Sequence, residues 1–301
     1  KARRFSRKLP SVVVNQISKE TYAKLQEQMW KYEGFFIQKK SLRDYRVNFG
    51  ANVLGYVSEV NPNDLKNDDY YQINMKGNIN HSVCKWCYSQ ISLEEFSIGV
   101  KSMGITGIDL IGPEEWPILK KHGLTSSMCN GAEISLTEGW NDKQYHPTLV
   151  DSYLKHIDLV AAAGYTNLIC FSGNRRAIDD ETGMENCVEG LKKILGHAEK
   201  KGVIIQMELL NSKVDHQDYM CDNSLWGFEL CRRIGSSNFK LLYDIYHMQI
   251  NEGDVIRTIG KNHQFIGHYH TAGVPGRNEI DQTQELFYPA IMKAIVAAGF
   301  K

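Results

Sequence analysis

No histidine and no cysteine occurs before Met75, although the 301-residue chain holds 10 of the first and 7 of the second. No apolar run approaches the roughly 18 to 20 residues that cross a bilayer, and the basic start KARRFSRKLP has no apolar stretch behind it. A membrane span is therefore not expected in this chain, nor a visible export signal, although one removed from a precursor is compatible. Excess charge is missing too: Lys+Arg and Asp+Glu number 35 each, and the pI is about 7.2. That balance excludes a polyanionic partner such as nucleic acid as the default expectation. Nor is there a dense cysteine framework. An odd number of cysteines at strand-like and helical positions fits free thiols in a reducing compartment. Cys84 and Cys87 form a lone CxxC with no second pair, so they are read as structural and not as a zinc site.

What is present, 42% hydrophobic and 23% charged residues, suits a globular protein with a sizeable core and small-molecule chemistry. The missing histidines and cysteines mark a seam. Residues 1–74 carry 13 Lys+Arg against 8 Asp+Glu, so a basic first part precedes a mildly acidic remainder. Within it, SKETYAKLQEQMWKY (18–32) has a serine N-cap candidate, and Tyr22, Leu25, Met29 and Tyr32 at helical spacing predict one amphipathic helix. GFFIQKKSLRDY and GANVLGYVSEV then read as short strands broken by Gly34, Gly50 and Gly55. The polar, turn-rich stretch 65–78 reads as a linker, with Met75 a candidate start of a once separate reading frame. The expected domains are thus 1–74 and 75–301.

From residue 79 onward, apolar runs alternate with helical ones. Strands are expected at 79–86, 107–111, 126–130, 167–172, 203–210, 240–247 and 265–271. The segments between them show apolar spacings of three and four, several ending in a glycine stop. Such alternation is the pattern of a parallel α/β protein, and the number of units favours a (β/α)8 TIM barrel over a doubly wound sheet. No glycine-rich phosphate fingerprint follows the first strand, which weakens a dinucleotide-binding reading. The last helical pattern, LFYPAIMKAIVAAGF (286–300), ends without an eighth strand. The barrel is therefore expected to be truncated before strand eight, with unpaired edges on strands one and seven.

In a TIM barrel, reacting groups collect at the C-terminal ends of the strands. Glu208 in MELLNSK, Asp244 and His247 in YDIYHMQ, and His268 and His270 in GHYHTAG fall there. An isolated carboxylate inside LLYDIYHMQI is costly to bury without a partner. Two carboxylates and an imidazole make a hard, oxygen-rich site suited to a divalent metal, Mn2+, Mg2+ or Co2+, with Zn2+ also compatible. His270, nearer the strand end, is the preferred ligand, and His268 is read as a packing residue or one that supports a ligand from behind. A salt bridge from Glu208 to Lys213 is the structural alternative for Glu208.

Two resemblances are carried by these motifs. Gly34–Tyr45 and Ala51–Val60 resemble the non-catalytic pedestal of class B penicillin-binding proteins, though no SxxK motif follows, so no penicillin-binding activity is implied. NHSVCKWCYSQI, GIDLIGPEEWPILKKHGL, NLICFSGNR, MELLNSKVDH, LLYDIYHMQI and HYHTAGVPGRNEID resemble, in order and spacing, the hydroxypyruvate isomerase family of xylose-isomerase-like TIM barrels. That resemblance implies Glu208 as a catalytic carboxylate and metal ligand, Asp244 and His270 as metal ligands, and His247 and Arg277 as substrate contacts. It also implies a fourth ligand and second catalytic carboxylate on strand eight, beyond the GF at 299–300. Glu279 and Glu285 are the nearby stand-ins, expected instead in the loop and helix cap after strand seven.

The implied chemistry moves a carbonyl along a short hydroxy-carbonyl or sugar substrate through an enediolate. A metal stabilises the developing charge, and two carboxylates abstract and return the proton. Arg277, fixed in charge, suits a substrate carboxylate. With one carboxylate missing, weak metal binding and impaired turnover are expected. The alternatives are a ketose 3-epimerase on the same barrel, an endonuclease IV-like phosphodiesterase that the neutral charge disfavours, and a catalytically inactive fusion. Free thiols favour the cytoplasm and the pedestal resemblance the periplasm. A homo-oligomer is compatible with all of these.

Overall fold

The structure, a computed structural model, describes residues 79–300; the helix expected at 18–32, the short strands after it and the linker lie outside the described residues. Seven strands form one parallel sheet in chain order: β1 (Ser82–Cys84), β2 (Gly107–Ile111), β3 (Thr125–Cys129), β4 (Asn167–Cys170), β5 (Ile204–Leu209), β6 (Phe239–Asp244) and β7 (Ile266–His270). Between and after them run α1 (Leu93–Ser102), α2 (Trp116–Lys121), α3 (His146–Ala163), α4 (Asp180–Lys201), α5 (Ser224–Ile234), α6 (Ile245–Asn251), α7 (Val255–Asn262) and α8 (Tyr288–Ala297). The sheet curls strongly. His268 on β7 reaches Asp109 on β2 at 2.7 Å, although those strands are not neighbours in the sheet. This is the TIM-barrel fold in a seven-stranded form, and among the described residues β1 and β7 have no backbone pairing with each other.

The central strands are buried on both faces, as strands flanked by crossover helices must be. In β5 every residue from Ile205 to Leu209 is buried, and in β6 all but Lys240. Apolar stripes of the helices complete the core: Phe96 and Val100 of α1, Leu149, Tyr153 and Ile157 of α3, and Leu191, Ile194 and Ala198 of α4. Helix starts follow the sequence cues. Ser92 accepts a hydrogen bond from the Glu95 amide, Asp179 from the Glu181 and Thr182 amides, and Asn223 from the Trp226 amide. The long α4 ends on Gly202, whose φ of 70° is the left-handed conformation that glycine adopts without strain.

Two expected strands change at their ends. The first, expected over 79–86, narrows to Ser82–Cys84 because Lys85–Tyr88 turns into a 3-10 helix. The sixth, expected to continue to residue 247, stops at Asp244, and a helix begins at Ile245. The cause is local: the Asp244 side chain accepts the His247 amide at 3.2 Å and caps the new helix. His247 therefore stands one helical turn beyond the strand, not on it.

The segment before α3 packs directly on the chain leaving β4. Trp140 and Asn141 donate their amides to the carbonyls of Phe171 and Ser172 at 3.3 and 2.8 Å. Gly139 permits this approach, since a Cβ there would lie 2.3 Å from the Gly173 amide nitrogen and 2.5 Å from the Phe171 carbonyl oxygen. Gly196, in the exposed interior of α4, meets nothing within 4 Å. Gly139→Ala is expected to destabilise the fold by about 3 kcal/mol through overpacking against backbone. Gly196→Ala is expected to stabilise it by about 0.5 to 1 kcal/mol through helix propensity. Urea denaturation of the two variants beside the parent chain measures both, and equal midpoints would contradict the close approach.

Candidate metal centre

Parallel registration brings the C-terminal ends of β5, β6 and β7 level. Asp244 pairs across from His270, and Glu208 from Leu242, two residues before Asp244 and on the same face of the strand. The three side chains meet inside the curl, with ligand atoms of Glu208, Asp244 and His270 all within 4.8 Å of one another and each residue buried. His270 Nδ1 lies 3.0 Å from Glu208 Oε1 and 3.9 Å from Asp244 Oδ2. Behind Glu208, the buried Tyr219 hydroxyl donates to the Glu208 carbonyl at 3.0 Å and accepts from the Ser172 amide at 3.0 Å. Two strand ends are thereby fixed together under the site.

Asp244 has two tasks for its two oxygens. Oδ1 caps α6, and Oδ2 accepts from Arg277 Nη2 at 2.8 Å. Burial alone would raise its carboxyl, but His247, Arg277 and His270 outweigh it and hold the carboxyl below the usual range. Arg277 comes from the loop after β7 with φ 56°, a left-handed conformation uncommon for a residue other than glycine. Tyr288 braces that loop, accepting from the Ala272 amide at 3.0 Å and donating to the Ala272 carbonyl at 2.8 Å. The guanidinium lies 5.1 Å from the Trp86 ring centre and 5.3 Å from that of Tyr246, held between two aromatic faces. Burial would lower its pKa, yet Asp244 and Glu208 more than offset this and raise it.

His247 is fully buried, and its contact with Asn211 assigns its tautomer. Asn211 Oδ1 accepts the Val214 and Asp215 amides at 3.0 Å each, so the amide nitrogen must be the atom facing His247 Nδ1 at 2.6 Å. Nδ1 is then an acceptor, and Nε2 carries the proton. Burial, opposed by Asp244 and assisted by Arg277, lowers the His247 pKa, in keeping with a neutral ring. The protonated Nε2 faces Arg277 Nη1 at 2.9 Å, donor against donor. An oxygen acceptor seated beside the pair, within reach of both nitrogens, would satisfy both.

The structure thus brings all five expected site residues, Glu208, Asp244, His247, His270 and Arg277, to one end of the barrel. It does not bring Glu279 or Glu285, both of which are exposed in the loop after β7. Lys213 does not pair with Glu208: its ammonium donates to the carbonyls of Ile250 and Asn251 at 3.3 and 2.6 Å. His268 stands behind the ligand set as expected: it bonds Asp109, which in turn bonds His270. Asp109, buried on β2, is the residue that sequence reading passed over. The signal was available, because an acid inside the apolar run GIDLI poses the same problem as Asp244 inside LLYDIYH. Burial would raise its carboxyl, but His268 and His270 hold it well below the usual range. Of the CxxC pair, Cys84 lies 4.0 Å from His270 Nε2, and burial pushes both thiols up, Cys87 to about 11. Thiols so shifted are scarce as thiolate at neutral pH.

The donor set fits a hard divalent cation. Three buried carboxylates, Asp109, Glu208 and Asp244, surround the basic groups of His270 and Arg277. Burial opposes a charged His270 ring, but the carboxylates bonded to it, Asp109 and Glu208, raise its pKa well above the ordinary imidazole value, while Cys84, held as a thiol, brings no charge. Counted as ions, these five leave one negative charge uncompensated. Exchanging the Nδ1 proton of His270 for a divalent cation would bring the cluster to neutrality.

Comparison with known proteins places the fold and its family. Residues 114–301 match the family model described as Xylose isomerase-like TIM barrel, and residues 2–78 match that of the Penicillin-binding Protein dimerisation domain. A 2-oxo-tetronate isomerase of Cupriavidus necator is 34% identical over 113 residues, 38% of this chain and 43% of that protein. A human putative hydroxypyruvate isomerase is 26% identical over 114 residues, 38% of this chain and 41% of that protein. The matched stretches therefore span less than half the length of these relatives. Among solved structures, the D-psicose 3-epimerase of Clostridium cellulolyticum H10 with D-tagatose superposes with a TM-score of 0.58 at 19% identity, covering 74% of this chain and 82% of that one. With a family model matching well over half its length, the chain belongs to the xylose isomerase-like TIM barrel family.

Proposed function

We propose that this chain carries the site of a sugar-type isomerase that shifts a carbonyl along a short hydroxy-carbonyl acid, with a divalent cation held by Glu208, Asp244 and His270. The observation that carries this reading is the buried meeting of those three ligand atoms within 4.8 Å at the C-terminal ends of adjacent strands. The cation would supply positive charge to the enediolate that forms when the proton between carbonyl and hydroxyl is removed. Glu208 is the carboxylate placed to take that proton. His247 Nε2–H and the Arg277 guanidinium converge on a common point and bind a substrate oxygen there. Arg277 also keeps its fixed charge in a site walled by Trp86 and Tyr246, which favours a carboxylate-bearing substrate such as hydroxypyruvate or a 2-oxo-tetronate. The relatives' names point to the same class of substrate.

Among the described residues the acid–base pair has one assigned member, Glu208. With Glu208 abstracting the proton, a second carboxylate would return it, and among the described residues Glu279 and Glu285 are too exposed to serve. The proposal for residues 1–301 is therefore weak cation binding and impaired turnover. Two other readings have support of their own. The likeness to D-psicose 3-epimerase favours a ketose 3-epimerase on the same barrel, which differs only in the substrate-facing residues. The dimerisation-domain match favours an inactive fusion of a pedestal at 1–74 with a barrel from 75 onward.

Mn2+ titration followed by hydroxypyruvate turnover separates these readings. Cation binding that Glu208→Gln and Asp244→Asn each weaken at least about tenfold, with turnover slow but cation-dependent, is the expected result. Turnover at the rate of a complete isomerase would overturn the impairment, and a cation-independent chain would favour the inactive fusion. Arg277→Met is expected to weaken binding of a short 2-oxo carboxylate about tenfold or more while leaving glyceraldehyde binding unchanged. Equal losses for both ligands, measured by calorimetry, would remove the carboxylate from the substrate class and turn attention to the ketoses.

A further inference from the structure

Asp109 has no part in the ligand set just described, yet it is among the most fully engaged carboxylates in the molecule. It is 2% exposed on β2. Its Oδ1 accepts from the Ser127 hydroxyl at 2.5 Å, and its Oδ2 faces His268 Nε2 at 2.7 Å and His270 Nε2 at 3.2 Å. The pocket is built for it. At Gly107, one turn of the β2 pleat earlier, a Cβ would lie 2.6 Å from the Ser127 hydroxyl, so that residue's lack of a side chain leaves Ser127 its place. His268 and Ser127 alone already give the carboxylate a donor on each oxygen. The approach of His270 is an additional contact, made from a strand that is not a neighbour of β2.

We propose that Asp109 is a positioning residue for His270: it holds the Nε2 proton and so presents Nδ1 to Glu208 and Asp244. An imidazole ring ligates through one nitrogen and is oriented by the hydrogen bond that the other makes, usually to a carboxylate. Here the Nε2 side is assigned to Asp109, and Nδ1 is the atom 3.0 Å from Glu208 Oε1 and 3.9 Å from Asp244 Oδ2. His268 acts on the carboxylate and not on the cation. Its bond to the same Oδ2 pins that oxygen between the two rings, whose centres are 5.5 Å apart at 83°. The barrel's curl thus lets β2 control a ligand on β7. The part that concerns the cation rests on the metal reading given above; the hold of Asp109 on the His270 ring stands on the hydrogen bonds alone.

The Cys84 thiol, 4.0 Å from the same Nε2, defines the competing arrangement: Cys84, Asp109 and His270 could instead ligate a thiophilic ion between them. The test has two arms that separate these arrangements. In the cation-free parent chain, 15N–1H correlation spectra of the histidine side chains are expected to show a slowly exchanging proton on His270 Nε2, lost in Asp109→Asn and kept in Cys84→Ser. In Mn2+ titrations, Asp109→Asn is expected to weaken affinity about 10- to 100-fold, with circular dichroism reporting an intact fold. An unprotonated Nε2 in the parent chain overturns the proposal without any variant being made. So does parental Mn2+ affinity in Asp109→Asn, or a sulfur-to-metal absorption band on adding Cd2+ that Cys84→Ser abolishes. A protected Nε2 proton in a chain that binds no Mn2+ supports the hold of Asp109 on His270 and refutes the metal reading instead.

Discussion

The structure turns on charge that has been taken out of water. Asp109, Glu208 and Asp244 are nearly inaccessible inside the curl of the sheet, and a carboxylate so placed costs several kcal/mol unless it is paired or hydrogen-bonded. Every element near the site serves that requirement. His270 stands between Glu208 and Asp109, Arg277 covers Asp244, and the start of α6 lends Asp244 a backbone amide. A set of acids that needs this much support and still leaves one negative charge over is better suited to a cation than to a purely structural network.

The scaffold converts this local chemistry into a shared site. Parallel pairing sets the ends of β5, β6 and β7 in register, so three residues far apart in sequence arrive at one level. Curling of the sheet then brings β2 and the turn after β1 to the same interior. Between β1 and β7, which among the described residues do not pair through their backbones, side chains make the connection: Cys84 approaches His270, and Trp86 lies against Arg277. The aromatic walls and the left-handed backbone at Arg277 show a guanidinium held in place before any ligand arrives, which lowers the cost of binding one.

Much of this could be read from the sequence, for physical reasons that differ between residues. The strand and helix alternation was legible because apolar spacing changes period from two to about 3.6 at each boundary. Asp244 and Glu208 stood out because acids inside apolar runs need a partner. The end of β6 was misjudged because YDIYH is as apolar as a strand. What decides it is that the aspartate side chain captures the His247 amide, and no periodicity records that competition. Asp109 carried the same signal as Asp244, but besides Ser127 on the neighbouring β3 its partners are on β7, contacts that only the curl of the sheet creates. The donor conflict between His247 and Arg277 was likewise out of reach, since it depends on which atom of Asn211 two backbone amides claim.

Anomalous diffraction from crystals of the chain grown with Mn2+ tests the central claim most directly. The account predicts a single strong peak among the carboxylate oxygens of Glu208 and Asp244 and Nδ1 of His270, with Asp109 on the far side of the imidazole and not bound to the ion. A peak between Cys84, Asp109 and Nε2 of His270, or a fully occupied crystal surface with none at this cluster, would contradict it.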